Sequence, residues 1–128
     1  MSNGRTVAIL GASGDRSKFS NKSVRAHQRQ GWKVFPVNPK GGMIEGLTTY
    51  ASLHDIPETL DRVSLYLPPA IGMMVLTDIV AAAPAEFFVN PGAESDELIV
   101  EAHRLGLQPI QACSIVEVGA RPSEFPDE

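Results

Sequence analysis

Cysteine occurs once in the 128 residues, at Cys113. No internal disulfide can form, which fits a reducing compartment. No apolar run approaches the roughly 20 residues of a membrane span. The opening Met1–Thr6 lacks a secretory apolar region, and Val7–Leu10 is too short to serve as one. The expectation is a soluble, cytoplasmic protein with no membrane partner. His27, His54 and His103 show no metal-ligand spacing, so surface roles are expected for them and no metal site is read. No Ser/His/Asp constellation is legible. A formal net charge of −4 argues against non-specific nucleic-acid binding. One absence is local. From Arg16 to Ile44 there is no Asp or Glu, yet this stretch holds Arg16, Lys18, Lys22, Arg25, Arg29, Lys33 and Lys40, seven of the eleven basic residues. Such a block is either a solvated face or an anion site.

What is present is an ordinary globular composition, 43% hydrophobic and 20% charged, over a length that suits one domain, residues 1–128. Strand and helix patterns alternate. Strands are expected at Val7–Leu10, Lys33–Val37, Arg62–Leu67, Glu86–Val89 and Gln108–Ala112. Helices are expected from Ser20 or Asn21 to Gln30, from Ala70 to Ala83, and from Ser95 or Asp96 to Leu105, where Ser95 suits the N-cap and Gly106 the stop. Lys40–Tyr50 reads as a Gly-rich loop, Ser52–Ile56 as a helical turn, and the segment from about 119 as an irregular surface tail. Five short apolar strands separated by helices imply an α/β fold: a doubly wound parallel sheet covered on both faces.

Ligands of such sheets bind beyond the carboxyl ends of the strands. Those ends are Gly11-Ala12-Ser13-Gly14, Val37-Asn38-Pro39-Lys40, Leu67-Pro68-Pro69, Asn90-Pro91-Gly92 and Cys113-Ser114. Glycine and proline shape backbone and supply no reactive group, so the ends suggest a binding crevice more than a catalytic one. The turn after the first strand is the kind that cradles phosphate, but Gly11-x-x-Gly14 is only part of a dinucleotide fingerprint. No carboxylate ends the second strand to read a ribose; Lys40 stands there, a cation suited to an extra ribose phosphate. NADP fits that logic, and so does coenzyme A with its 3′-phosphate. A nucleoside-triphosphate loop fails, because no Gly-Lys-Ser/Thr follows the turn.

Gly11-Ala12-Ser13, Pro36-Val37-Asn38-Pro39, Gly46 before Tyr50, Pro68-Pro69, Asn90-Pro91-Gly92-Ala93-Glu94 and Cys113 span nearly the whole chain. Together they resemble the CoA-binding domain proteins, stand-alone relatives of the N-terminal domain of the succinyl-CoA synthetase α subunit. The resemblance implies a Rossmann-like fold with CoA lying over the strand ends. It would set the turn Gly11, Ala12, Ser13 and Gly14 against the phosphates; independently of the resemblance, the acid-free basic segment, including Arg16, Lys18 and Lys22, would neutralise the rest of a polyanion. Asn38, Pro39 and Lys40 would lie by the adenosine phosphate, and Leu67, Pro68 and Pro69 would wall the adenine. Asn90, Pro91 and Gly92 would line the route to the thiol arm. The chain departs from the family at Phe19-Ser20-Asn21-Lys22, where an Arg-Pro-Ser-type segment is common, and reads Cys113-Ser114-Ile115-Val116 after the last strand.

Other candidates have structural readings beside the functional ones. Cys113 is a catalytic or acyl-carrying thiol, a partner for a mixed disulfide with CoA, or a packing or backbone residue; no His or Lys adjoins it in sequence. Glu94 orients a ligand hydroxyl or caps a helix. Tyr66 is a core residue or touches adenine, and Trp32 is core. The expected function is therefore binding of CoA or acyl-CoA by a small regulatory module without catalysis. The alternatives are an NADP-dependent reductase and an accessory subunit of an acyl-CoA ligase. The expected partners are the CoA ligand and either further copies of the chain or a catalytic partner chain.

Overall fold

The computed structural model describes residues 2–128. In chain order they form β1 (Thr6–Leu10), α1 (Phe19–Arg29), β2 (Lys33–Val37), β3 (Met43–Ile44), β4 (Leu47–Thr48) and β5 (Arg62–Leu65). There follow α2 (Pro69–Ala82), β6 (Glu86–Val89), α3 (Asp96–Arg104), β7 (Pro109–Gln111) and α4 (Ser114–Glu117). Single 3-10 turns lie at Leu53–Asp55 and Pro122–Glu124. β1, β2, β5, β6 and β7 make one parallel sheet in the order β2-β1-β5-β6-β7. The expected doubly wound, Rossmann-like α/β fold is the one found.

Strand alternation divides the core between the two faces of the sheet. Ala8, Leu10, Val63, Leu65, Phe87 and Val89 pack with Leu76 and Ile79 of α2 and Leu98 and Ala102 of α3. Val7, Ile9 and Val34 face the other way, onto Val24 of α1 and Trp32. Gly72 lets α2 approach both α3 and the sheet: a Cβ there would sit 2.9 Å from Leu98 Cδ1 and 3.2 Å from Leu65 Cδ2 of β5. Ser95 caps α3 by accepting a hydrogen bond from Leu98 N–H, and Asp96 and Glu97 occupy its first turn, as the sequence leads one to expect.

Three local expectations are corrected. The Lys40–Tyr50 loop contains an antiparallel hairpin, β3–β4. Its two-residue turn has positive φ at both Glu45 (49°) and Gly46 (77°), which matches the twist of paired strands. The residues after 119 keep largely to the surface, as expected, but they include the 3-10 turn Pro122–Glu124 and are anchored at two points. Ala120 and Phe125 are buried, and Phe125 lies under the guanidinium groups of Arg25 and Arg29. That segment covers the outer side of α1, so residues 20–27 are all buried and α1 needs no single apolar stripe. His27, which faces Trp32 and Arg62, is a buried group rather than a surface one. His54 and His103 are exposed, and His54 contacts Asp78 at 2.7 Å. No helix among the described residues is long and apolar enough to cross a membrane.

Candidate functional site

The chain passes from β1 to the edge at β2, then returns to the other side of β1 as β5. A crevice opens at this reversal, above the carboxyl ends of the strands. It has a volume of about 520 Å³ and is lined by the turn Gly11–Ser13, by Lys18, Phe19 and Ser20 of the α1 entrance, by Asn38, by Tyr66–Pro69 and by Pro91–Ala93. A smaller groove of about 410 Å³ runs along β2 between Trp32 and Tyr50 and includes none of the strand-end turns.

The turn is stitched in place from three sides. Gly11 and Ala12 donate their N–H groups to Val37 O, each at 3.2 Å. Asn38 Nδ2 donates to Ala12 O at 2.9 Å, while its Oδ1 accepts from Lys40 N–H at 2.9 Å. Asn21 Nδ2 donates to Ser13 O at 2.9 Å and Asn21 Oδ1 accepts from Arg25 Nε. Asn21, part of the Phe19–Lys22 departure from the family, has a structural role that depends on a backbone oxygen eight positions away. Within the turn, Asp15 accepts from the N–H and hydroxyl of Ser17, and these bonds hold its carboxyl below the ordinary aspartate value. At the α1 entrance, whose residues Lys18, Phe19 and Ser20 line the crevice, no side chain caps the helix, so its first N–H groups have no side-chain acceptor.

Gly11 has φ +83°, and a Cβ on it would lie 3.2 Å from Tyr66 backbone atoms and 3.0 Å from Leu67 Cδ2. Gly14 has nothing within 4 Å of its hypothetical Cβ. Gly11→Ala is therefore expected to lose about 1–2 kcal/mol from the left-handed backbone alone, before any clash. Gly14→Ala, at an open site with no positive φ, should change the unfolding free energy by less than about 0.5 kcal/mol. Chemical denaturation of the two variants checks this, and equal stabilities would mean that the turn relaxes freely.

Of the residues read from sequence, Gly11, Ala12, Ser13, Lys18, Asn38, Leu67, Pro68, Pro69, Pro91 and Gly92 meet at the crevice. Gly14, Arg16, Lys22, Pro39, Lys40 and Asn90 do not line it. The acid-free stretch finds its counter-charges far along the chain. Lys22 pairs with Asp127 at 2.6 Å, Arg29 with Glu124 at 3.0 Å and Arg16 with Glu45 at 3.3 Å. Lys33 pairs with Glu58, and Arg25 donates to Arg16 O and Pro126 O. Lys18 and Lys40 make no ion pair among the described residues. Asn90 is fully buried, and its amide donates to Ser64 Oγ and Leu65 O. Phe19 and Ser20 join the lining unpredicted; Phe19 is exposed at the α1 entrance, a position visible only once the helix start is known. Cys113 is half-buried at the N-terminal edge of α4.

Comparison with known proteins agrees with this geometry. The model of the CoA binding domain family matches residues 5–119. The α subunit of an ADP-forming acetate–CoA ligase II from Pyrococcus furiosus is 28% identical over 117 residues, 83% of this chain and 26% of that subunit. This chain thus spans about a quarter of that curated relative. A conserved hypothetical protein of Pyrococcus furiosus superposes with a TM-score of 0.80 at 32% identity, over 88% of this chain and 98% of that one. A dinucleotide-forming acetyl-coenzyme A synthetase of Ca. Korarchaeum cryptofilum, solved with phosphate and ADP, superposes with a TM-score of 0.73 at 28% identity, over 86% of this chain and 26% of that one. With nine-tenths of its length matched and the crevice at the strand-order reversal, the chain belongs to the CoA binding domain family.

Proposed function

We propose that this chain binds CoA or an acyl-CoA in the strand-end crevice as a small binding module and does not turn the ligand over. One observation carries the reading. Five of the seven cations in the acid-free stretch are engaged in internal ion pairs or hydrogen bonds, whereas Lys18 and Lys40 are exposed and make no salt bridge among the described residues, Lys18 having only the through-space influence of Asp15. Lys18 lines the crevice, and Lys40 is anchored through its backbone to Asn38, which also lines it. CoA is a polyanion with two charged regions, the pyrophosphate and the 3′-phosphate. The Gly11 and Ala12 N–H groups are spent on Val37 O, so the turn contributes shape and the close approach of its backbone, while the uncapped start of α1, with its helix dipole, suits the pyrophosphate. Lys40, at the end of β2, suits the 3′-phosphate. Leu67, Pro68 and Pro69 offer an apolar wall for the adenine, and Pro91 and Gly92 a path for the pantetheine arm. The crevice offers no legible acid–base pair, and Cys113 has no histidine or lysine beside it in sequence.

A second reading is favoured by the Pyrococcus ligase subunit: the chain lends its site to a separate catalytic chain. Both readings require CoA to bind here. Calorimetric titration with CoA, dephospho-CoA, NADP and NAD tests that requirement. CoA should bind more tightly than dephospho-CoA and NAD. Lys40→Ala should cost about 1.5–3 kcal/mol, the worth of a hydrogen bond to a charged group, and only with the 3′-phosphorylated ligand. Equal affinity for CoA and dephospho-CoA would remove the 3′-phosphate site. Preference for NADP would turn the reading toward a reductase.

A further inference from the structure

Beneath the crevice lies a cluster of polar side chains that CoA binding does not use directly. Ser23 of α1, Ser64 of β5, Ser114 of α4 and Asn90 after β6 are all fully buried where helix packs on sheet. Ser114 is the hub. Its hydroxyl lies 2.7 Å from Ser64 Oγ, 3.1 Å from the Tyr66 hydroxyl and 3.4 Å from Ser23 Oγ, and its N–H donates to Asn90 Oδ1 at 2.9 Å. Asn90 Nδ2 donates in turn to Ser64 Oγ at 2.8 Å. Tyr66 is the one member that also lines the crevice. Its phenol points inward, and burial pushes its pKa up to about 12, so it is a neutral hydroxyl. A buried polar network pays a desolvation cost that apolar packing avoids, and its return is a single fixed arrangement.

We propose that Ser114, held by Asn90 and Ser64, is a positioning residue that fixes the Tyr66 ring as a wall of the ligand crevice. The proposal rests on the CoA reading of that crevice and deepens it. Asn90 then serves the ligand through Ser114 and not by contact. Ser114 itself touches nothing that binds.

The test uses protein labelled with 3-fluorotyrosine, whose two tyrosines, Tyr50 and Tyr66, give two ¹⁹F resonances. Ser114→Ala should move the Tyr66 resonance and leave that of Tyr50 in place. The same substitution should weaken CoA binding by about fivefold, as for one lost neutral hydrogen bond. Tyr66→Phe removes only the hydroxyl, sits at the crevice where packing is looser, and should give a similar loss. The double variant should lose less than the product of the two single losses, because both act on the Tyr66 hydroxyl. An unmoved Tyr66 resonance, multiplying losses in the double variant, or unchanged affinity in Tyr66→Phe would each overturn the proposal. A parent protein with no CoA affinity would overturn the ligand reading, while the ¹⁹F comparison still decides whether Ser114 holds Tyr66.

Discussion

Arg62→Ala is expected to lower the unfolding free energy by about 3–5 kcal/mol, the range for emptying a large buried site. Arg62 opens β5 and is fully buried. Its guanidinium lies 4.5 Å from the ring centroids of both Trp32 and Phe88. It pairs with Glu86 at 3.0 Å and Glu117 at 2.6 Å, and donates to His27 Nε2 at 3.3 Å. The two glutamates are partly exposed, at 30% and 42%, so water takes them over when the arginine goes. Most of the loss is therefore expected from the vacated space between the two aromatic rings and from the cation–π contacts. Arg62→Met, which refills that space without charge, should recover more than half. Urea denaturation at constant slope decides. A loss below about 1 kcal/mol in Arg62→Ala would mean that the rings close over the site.

Acidification should destabilise the fold through His27, and the window is set by its environment. Nδ1 lies 2.8 Å from Ser23 O, an atom that can only accept, so Nδ1 carries the proton. Nε2 is left to accept from Arg62. Burial, with Arg62 and Arg5 nearby, depresses the pKa from 6.5 to about 4. Between these two values the unfolded chain takes up a proton that the folded chain refuses. Stability from this group is therefore complete above pH 6.5 and falls as the pH drops toward 4, by about 3 kcal/mol for a shift of this size. His27→Gln cannot titrate. Its stability should start lower and decline less steeply between pH 7 and pH 4.5. Parallel pH profiles for parent and variant would assign the acid sensitivity elsewhere.

The parts of this fold that were legible from sequence are those set by local chemistry. Four apolar runs end in glycine or proline, and those breaks put the strand ends and the crevice where they are found. Ser95, Asp96 and Gly106 mark α3 by capping alone. What was not legible depends on distant partners. The outer face of α1 looks too polar for burial until Glu124, Phe125 and Asp127 fold over it. The same contacts explain why a run of cations does not make a continuous anion site: Lys22 and Arg29 answer acids roughly a hundred positions on. The β3–β4 hairpin escaped because each strand is two residues long and its turn puts a glutamate in the left-handed region. Asn90 read as a ligand contact from its place in Asn90-Pro91-Gly92, yet its amide is spent on Ser64, Leu65 and Ser114.

The central claim is that the crevice between Gly11, Lys18, Asn38 and Pro68 holds CoA. A native mass spectrum of the protein, equilibrated with equal concentrations of CoA and NADP, tests it most directly. The expected result is a one-to-one CoA adduct in the parent, diminished in a Lys18→Ala, Lys40→Ala double variant that retains the parent's circular dichroism. A parent spectrum with no CoA adduct, or an adduct that survives loss of both lysines undiminished, would contradict it.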